Sequence, residues 1–217
     1  MRNILILNLS PRQKGTSAML AQRALEALQQ KGHRVTLLHL YPHLNQLDAL
    51  LQAVGGRDTV LFSGPCYINT YPADTTALLL ALADRPDLLH GQQVYGIIQG
   101  GMPYIHTHAC GLELLRLFCA RCGLRYQGGF VLGMGAMLDG QPLEKLPNGR
   151  AAARQFSAFV ACIHRGEEAP MALSEQARFQ APRFVIRLLA LVANRRIDSG
   201  LRKRGIDANR PSPYLEG

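Results

Sequence analysis

The chain has 217 residues, 47% of them apolar and 18% charged, and carries a formal net charge of +9. That length suits one compact domain with an appendage, and the composition excludes an intrinsically disordered chain. No apolar run reaches the roughly 18 residues that a membrane span needs, and the run in MRNILILN is too short for a secretory leader, so a soluble cytoplasmic protein is expected.

Asn3 to Asn8 reads as a first strand. The loop Leu9 to Ser17 leads into a helix from Thr16 to Lys31, with Met19, Leu20, Ala24, Leu25 and Leu28 on its apolar face and Gly32 as its stop. A second strand, Arg34 to Leu40, precedes a helical stretch from Leu47 to Val54. The third strand, Asp58 to Gly64, runs into PCYINTYP and a helix from Ala73 to Ala83. A fourth strand, Gln93 to Gln99, ends in Gly100 and Gly101, and a helix near Cys110 to Cys122 follows. Tyr126 to Leu132 is the fifth strand and Arg150 to His164 the closing helix.

Strand and helix alternating in this way predict parallel βαβ units. Five of them give an α/β doubly wound parallel sheet of order 2-1-3-4-5, with its ligand crevice at the carboxyl ends of the strands. The loops at that crevice are Leu9 to Ser17, Pro65 to Pro72 and Gly100 to His108. The expected boundaries are a domain over 1–165, a hinge over 165–176, and a C-terminal helical extension within 166–217.

The first loop, NLSPRQKGTS, carries what an anion needs: hydroxyls on Ser10, Thr16 and Ser17, a small residue at Gly15, cations at Arg12 and Lys14, and the start of a helix. It matches neither a triphosphate P-loop nor the dinucleotide GxGxxG spacing. The plain alternative is a helix cap beside an exposed turn. For PCYINTYP the plain alternative is a rigid turn with Tyr67 packed in the core, and for Gly100 and Gly101 an ordinary turn.

The order strand, SPR, Gly, helix in ILILNLSPRQKGTSAML resembles the NADPH-dependent FMN reductase family of flavodoxin-like proteins, whose first strand runs into GSPRxxGNT or a close variant. Leu9 stands where that family usually has glycine. FSGPCYINTYP resembles the same family's second signature, a strand ending in PxY. The resemblance covers roughly residues 1 to 165. It implies that Ser10, Arg12, Thr16, Ser17 and the backbone at Ala18 bind the FMN phosphate. Pro65, Cys66, Tyr67, Ile68 and Asn69 would wrap the ribityl chain and ring, and Gly100 and Gly101 would let the ring lie against backbone. The implied activity is hydride transfer from NADPH or NADH to bound FMN and on to a quinone, flavin or similar small-molecule acceptor, with no side-chain catalyst assigned. A non-enzymatic FMN-binding electron carrier docked to a partner or membrane surface is the alternative, and a scaffold that has lost FMN a third reading.

HTHAC, with His106, His108 and Cys110, lacks a fourth metal ligand, so no metal is expected; near the crevice either histidine could donate a proton. Cys119 and Cys122 fall inside a helix, where packing is the expected role. From Pro170 onward nine basic residues meet four acidic ones. ARFQAPRFVIRLLALVANRRIDSGLRKRG has Pro182 placed for a first helical turn and an apolar surface of Phe184, Val185, Leu188, Leu189, Leu191 and Val192. A homodimer or docking helix is expected there, with peripheral membrane contact aided by Arg195, Arg196, Arg202, Lys203 and Arg204 as the alternative. No nucleic-acid partner is expected.

Overall fold

The computed structural model describes residues 1–178 and 183–206. Five parallel strands, β1 (Asn3–Asn8), β2 (Arg34–His39), β3 (Thr59–Pro65), β4 (Gln93–Gln99) and β5 (Arg125–Leu132), form one sheet of order β2-β1-β3-β4-β5. The helices between them are α1 (Thr16–Gln30), α2 (Leu47–Gly55), α3 (Ala73–Ala83) and α4 (Ala109–Cys122), with α5 (Gly149–Arg165) after β5. The predicted topology is the observed one, with element ends displaced by a residue or so.

β3 and β4 are buried along their whole length because helices cover both faces of the sheet. Alternate side chains therefore enter two separate cores. On one face Ile4, Ile6, Tyr95, Ile97 and Phe130 pack with α1 and α5. On the other Leu5, Leu7, Val60, Phe62, Val94 and Ile98 pack with α2, α3 and α4. The α5 side is aromatic: Phe159 lies between Tyr95, Phe130 and Phe156, with ring centroids 6.2, 5.7 and 6.1 Å away.

Residues 166–178 belong to the first of two compact units, residues 1–179, and do not behave as the expected hinge. Ala169 donates its N–H to Gln127 O at 2.8 Å, and Ser174 Oγ accepts from Val131 N–H at 2.9 Å. A short helix, α6 (Ala172–Ala177), thereby lies along β5, and buried Ala177 completes the core. Backbone groups on the sheet's last strand need partners, and this segment supplies them. Gly128, at φ 87°, allows the approach, since a Cβ there would collide with Ala169 O. The remaining helix, α7 (Arg183–Lys203), lies in the unit 180–217 and exposes Phe184, Leu188, Leu191 and Val192. Pro182, and the side chains of Arg183, Val185 and Leu189, lie outside the described residues.

One packing contact makes stability depend on pH. His33 Nδ1 accepts from Arg2 N–H at 3.1 Å, so its proton sits on Nε2, which points at His164 Nδ1 at 2.8 Å. Burial, followed by the facing His164 and the positive Arg2, N-terminus and Lys31, lowers the pKa of His33 below 6.5. Burial likewise lowers His39 and His108. A lowered histidine is neutral in the fold while the unfolded chain takes up protons from 6.5 downward, so stability is full above that pH and declines below it. Urea unfolding at pH 7.5 and 5.5 should show the loss, with a smaller difference for His33→Asn; equal slopes for the two proteins would refute the role of the pair.

Candidate functional site

The loops after β1, β3 and β4 converge, as the parallel topology requires, and enclose a cavity of about 240 Å³. Its lining is Ser10, Arg12, Gly15 and Thr16 from the first loop, Pro65, Cys66 and Tyr67 from the second, and Gln99, Gly100 and Gly101 from the third. Ala136, from a fourth loop after β5, closes it.

The first loop is held from beneath. Leu9, at the usual glycine position, points away from the cavity into the core packed against α2, α3 and α4, and its N–H donates to Ser63 O at 2.8 Å. Asn8 Oδ1 accepts from Ser10 N–H at 3.2 Å, and Ser10 Oγ accepts from Arg12 N–H at 3.1 Å, which turns the chain towards α1. Gly15 is the N-cap of α1 in extended backbone, and no side chain caps this helix. The first-turn N–H groups of Thr16, Ser17 and Ala18 therefore point out of the helix end with its positive dipole.

The fourth loop, which no motif in the sequence marks, is tied to the first. Thr16 Oγ donates to Gly135 O at 2.8 Å and accepts from Gly140 N–H at 3.3 Å, and Arg12 Nη1 pairs with Asp139 Oδ1 at 2.9 Å. The Thr16 hydroxyl proton is thus committed to a carbonyl. That leaves the backbone N–H as the free donor Thr16 presents at the cavity, where the sequence led us to expect its hydroxyl. Ser17 is buried beside the cavity rather than lining it, and its Oγ accepts from Gln99 Nε2 at 3.1 Å.

In the second loop Tyr67 and Thr70 close a tight turn, with Tyr67 N–H on Thr70 O at 2.7 Å. Ile68 and Asn69 at its tip both have positive φ, 51° and 69°. Ile68 is 97% exposed. A β-branched residue in that conformation is strained, and such strain concentrates at functional turns. Neither Ile68 nor Asn69 lines the cavity, whereas Pro65, Cys66 and Tyr67 do. The core tyrosine is Tyr71, whose hydroxyl donates to Ile97 O at 3.0 Å; Tyr67 is half exposed.

Cys66 Sγ lies 3.5 Å from Thr107 O, and burial raises its pKa, so it is a thiol and not a nucleophilic thiolate. His108 Nδ1 is 2.9 Å from Tyr104 O, which fixes the ring proton on Nδ1. Its Nε2 side packs against Gly100, where a Cβ would collide with the imidazole. His108 does not line the cavity, its Nδ1 is taken by Tyr104 O and burial lowers its pKa, all of which count against proton donation from it. His106 stacks on Tyr104 at 5.6 Å, outside the lining. Cys119 is buried in α4, where burial pushes its thiol up to about 12, as a packing residue. Among the described residues no three His, Cys, Asp or Glu side chains gather into a metal site.

The sequence model described as NADPH-dependent FMN reductase matches residues 2–120, from the first strand through the third cavity loop and most of α4. The chain belongs to the NADPH-dependent FMN reductase family. No curated protein matches it by sequence. Among solved structures, an apo NADH:FMN oxidoreductase superposes with a TM-score of 0.61 at 19% identity, covering 80% of this chain and 94% of that one. An FMN-dependent NADH-azoreductase from Bacillus anthracis str. Ames Ancestor, in complex with FMN, gives 0.58 at 13% identity, covering 75% and 99%. A mutant flavodoxin from Pseudomonas aeruginosa gives 0.53 at 20%, covering 73% and 97%. At these identities the likeness is one of fold, and the fold is flavodoxin-like.

The family's cofactor is FMN and its electron donor NAD(P)H, and the residues of this FMN reductase fit such a group. The uncapped N-terminus of α1, Ser10 and Arg12 offer donors and positive field, Gly15 leaves room, and a buried acceptor, Gln99 Oε1, has no protein partner.

Proposed function

We propose that this FMN reductase binds the FMN phosphate at the N-terminus of α1 and passes electrons from NADPH or NADH to a quinone, flavin or similar small acceptor. The observation that carries the reading is the convergence of that uncapped helix end with the Pro65–Tyr67 turn and Gly100–Gly101 on a single cavity. Ser10 Oγ, Arg12 and the N–H groups of Thr16, Ser17 and Ala18 hold the phosphate. Arg12 is shared with Asp139, so an arriving anion competes for a guanidinium already oriented towards the loop. Pro65, Cys66, Tyr67, Gly100 and Gly101 seat the remainder, and Ile68 and Asn69 border its outer edge. Bound FMN supplies the hydride chemistry. The chain binds and orients, and in the cavity lining burial keeps Cys66 a thiol rather than a nucleophilic thiolate.

The purified protein should take up FMN, giving a visible flavin spectrum, and NADPH or NADH should bleach it anaerobically. Bleaching supports the reductase; uptake without bleaching favours the electron carrier, and no uptake refutes both. We further propose that the apolar side chains of α7, Phe184, Leu188, Leu191 and Val192 among them, are covered by a second subunit, because a helix with this much apolar surface must bury it. Sedimentation of the protein alone should show a dimer. A monomer that pellets with anionic vesicles would instead assign the helix, with Arg195, Arg196 and Lys203, to a membrane surface.

A further inference from the structure

Gln99 was not among the residues that the sequence pointed to, yet its surroundings are the most specific in the cavity. It is the last residue of β4, after the apolar run Gly96, Ile97, Ile98, and only 4% of its surface is exposed. Its side chain lies on the face of the sheet that carries α1. Nε2 is held by Ser17 Oγ at 3.1 Å, while Oε1 is buried with no hydrogen-bond partner. The other buried side-chain atoms without a partner among the described residues, on Thr59, Thr75 and Asn148, do not line this cavity.

A buried carboxamide oxygen without a partner is destabilising, and a methionine or leucine at the end of β4 would avoid it. The fold also reserves space for the group. Gly135 is not in the left-handed region, but a Cβ there would come within 2.7 Å of Gln99 Oε1, so a small residue is needed for the carboxamide to sit where it does. Such an atom fits a ligand that supplies the missing donor.

The position says which part of a ligand that is. Gln99 joins the two ends of the cavity: its side chain holds Ser17 in the first turn of α1, and its backbone carbonyl accepts from Cys66 N–H at 2.6 Å in the Pro65–Tyr67 turn. A ligand with its phosphate at α1 and its ring at that turn must lead its connecting chain past Gln99. In FMN that chain is ribityl, whose hydroxyls are donors, whereas the phosphate oxygens only accept and the ring is seated elsewhere. Resting on the FMN reading above, we infer that Gln99 Oε1 accepts a hydrogen bond from a ribityl hydroxyl, which makes Gln99 a determinant of selectivity for flavins with a hydroxylated side chain.

The test titrates apo protein with FMN, with riboflavin and with lumiflavin, which has the ring but no ribityl chain, and follows flavin fluorescence. Gln99→Met keeps the length and apolar fit of the side chain without an acceptor; Gln99→Leu is a second variant should the first not fold. Folding is checked by thermal unfolding of each apo protein, which needs no flavin. We expect either folded variant to bind FMN and riboflavin about tenfold more weakly than wild type and lumiflavin equally well. Unchanged FMN and riboflavin affinity overturns the inference while leaving the FMN reading intact. So does an equal loss for all three flavins, which would place Gln99 against the ring. Wild-type protein that binds no flavin overturns the FMN reading and this inference with it.

Discussion

Gly15→Asp is expected to leave the protein folded and to remove most of its affinity for FMN. Gly15 is the N-cap of α1, its backbone is already extended, and a Cβ there would meet nothing closer than 3.5 Å. Aspartate at this position can accept from the N–H groups of Ser17 or Ala18, a capping bond that improves on glycine by a few tenths of a kcal/mol. It takes the donors that the phosphate needs and adds a negative charge in the same place. A pair of unit charges about 4 Å apart at a partly hydrated protein site interacts by about 4 kcal/mol. A loss of ~3 kcal/mol, or roughly a hundredfold in dissociation constant, is therefore the modest expectation. Riboflavin, which has no phosphate, should bind the variant nearly as well as it binds wild type. If FMN affinity were unchanged, the loop would be no more than a helix start, the plain reading that the sequence alone leaves open.

Phe159→Ala should cost more stability than any surface change. Phe159 is fully buried on the α5 side of the sheet and touches the rings of Tyr95, Phe130 and Phe156. Cutting a buried phenylalanine back to alanine removes about 3 to 5 kcal/mol, counting both lost burial and the cavity left behind. Domains have only about 5 to 15 kcal/mol in all. The urea midpoint should move accordingly, and a loss below about 1 kcal/mol would mean that this face is not packed as described. Because the cavity is built from loops at the strand ends, variant protein that is still folded should keep its flavin affinity within about twofold.

The parts of the fold that were legible before the structure share a physical origin. ILILN, TVLFSG and QVYGII are continuous apolar runs because the strands are buried on both faces, and the helices between them keep one polar side. What sequence could not show were choices between chemically similar residues. Tyr67 and Tyr71 lie four apart in one turn, and only packing decides that Tyr71 enters the core. GEEAPMALSEQA reads as a hinge because its acids and proline suggest solvent, yet the Ala169 N–H and Ser174 Oγ serve β5. The fourth loop, GMGAMLDG, has one charged residue and no motif; apart from Asp139, which pairs with Arg12, its ties to the first loop run through the backbone of Gly135 and Gly140, which leaves no pattern in side-chain identity. Gln99 was hidden for a related reason: a glutamine at a strand end usually marks only the return to solvent.

Leu9 has a further consequence for how a ligand is met. Where the family usually has glycine, this chain drives a leucine into the core and fastens its N–H to β3. A glycine there would let the loop sample many shapes, most of them unfit to surround a phosphate, and association would have to freeze them out. Here that ordering happens once, during folding, and is not charged again to each binding event. Relative to a Leu9→Gly variant, wild-type protein should therefore bind FMN with a less unfavourable entropy, its loop meeting the cofactor as a mould that has already set.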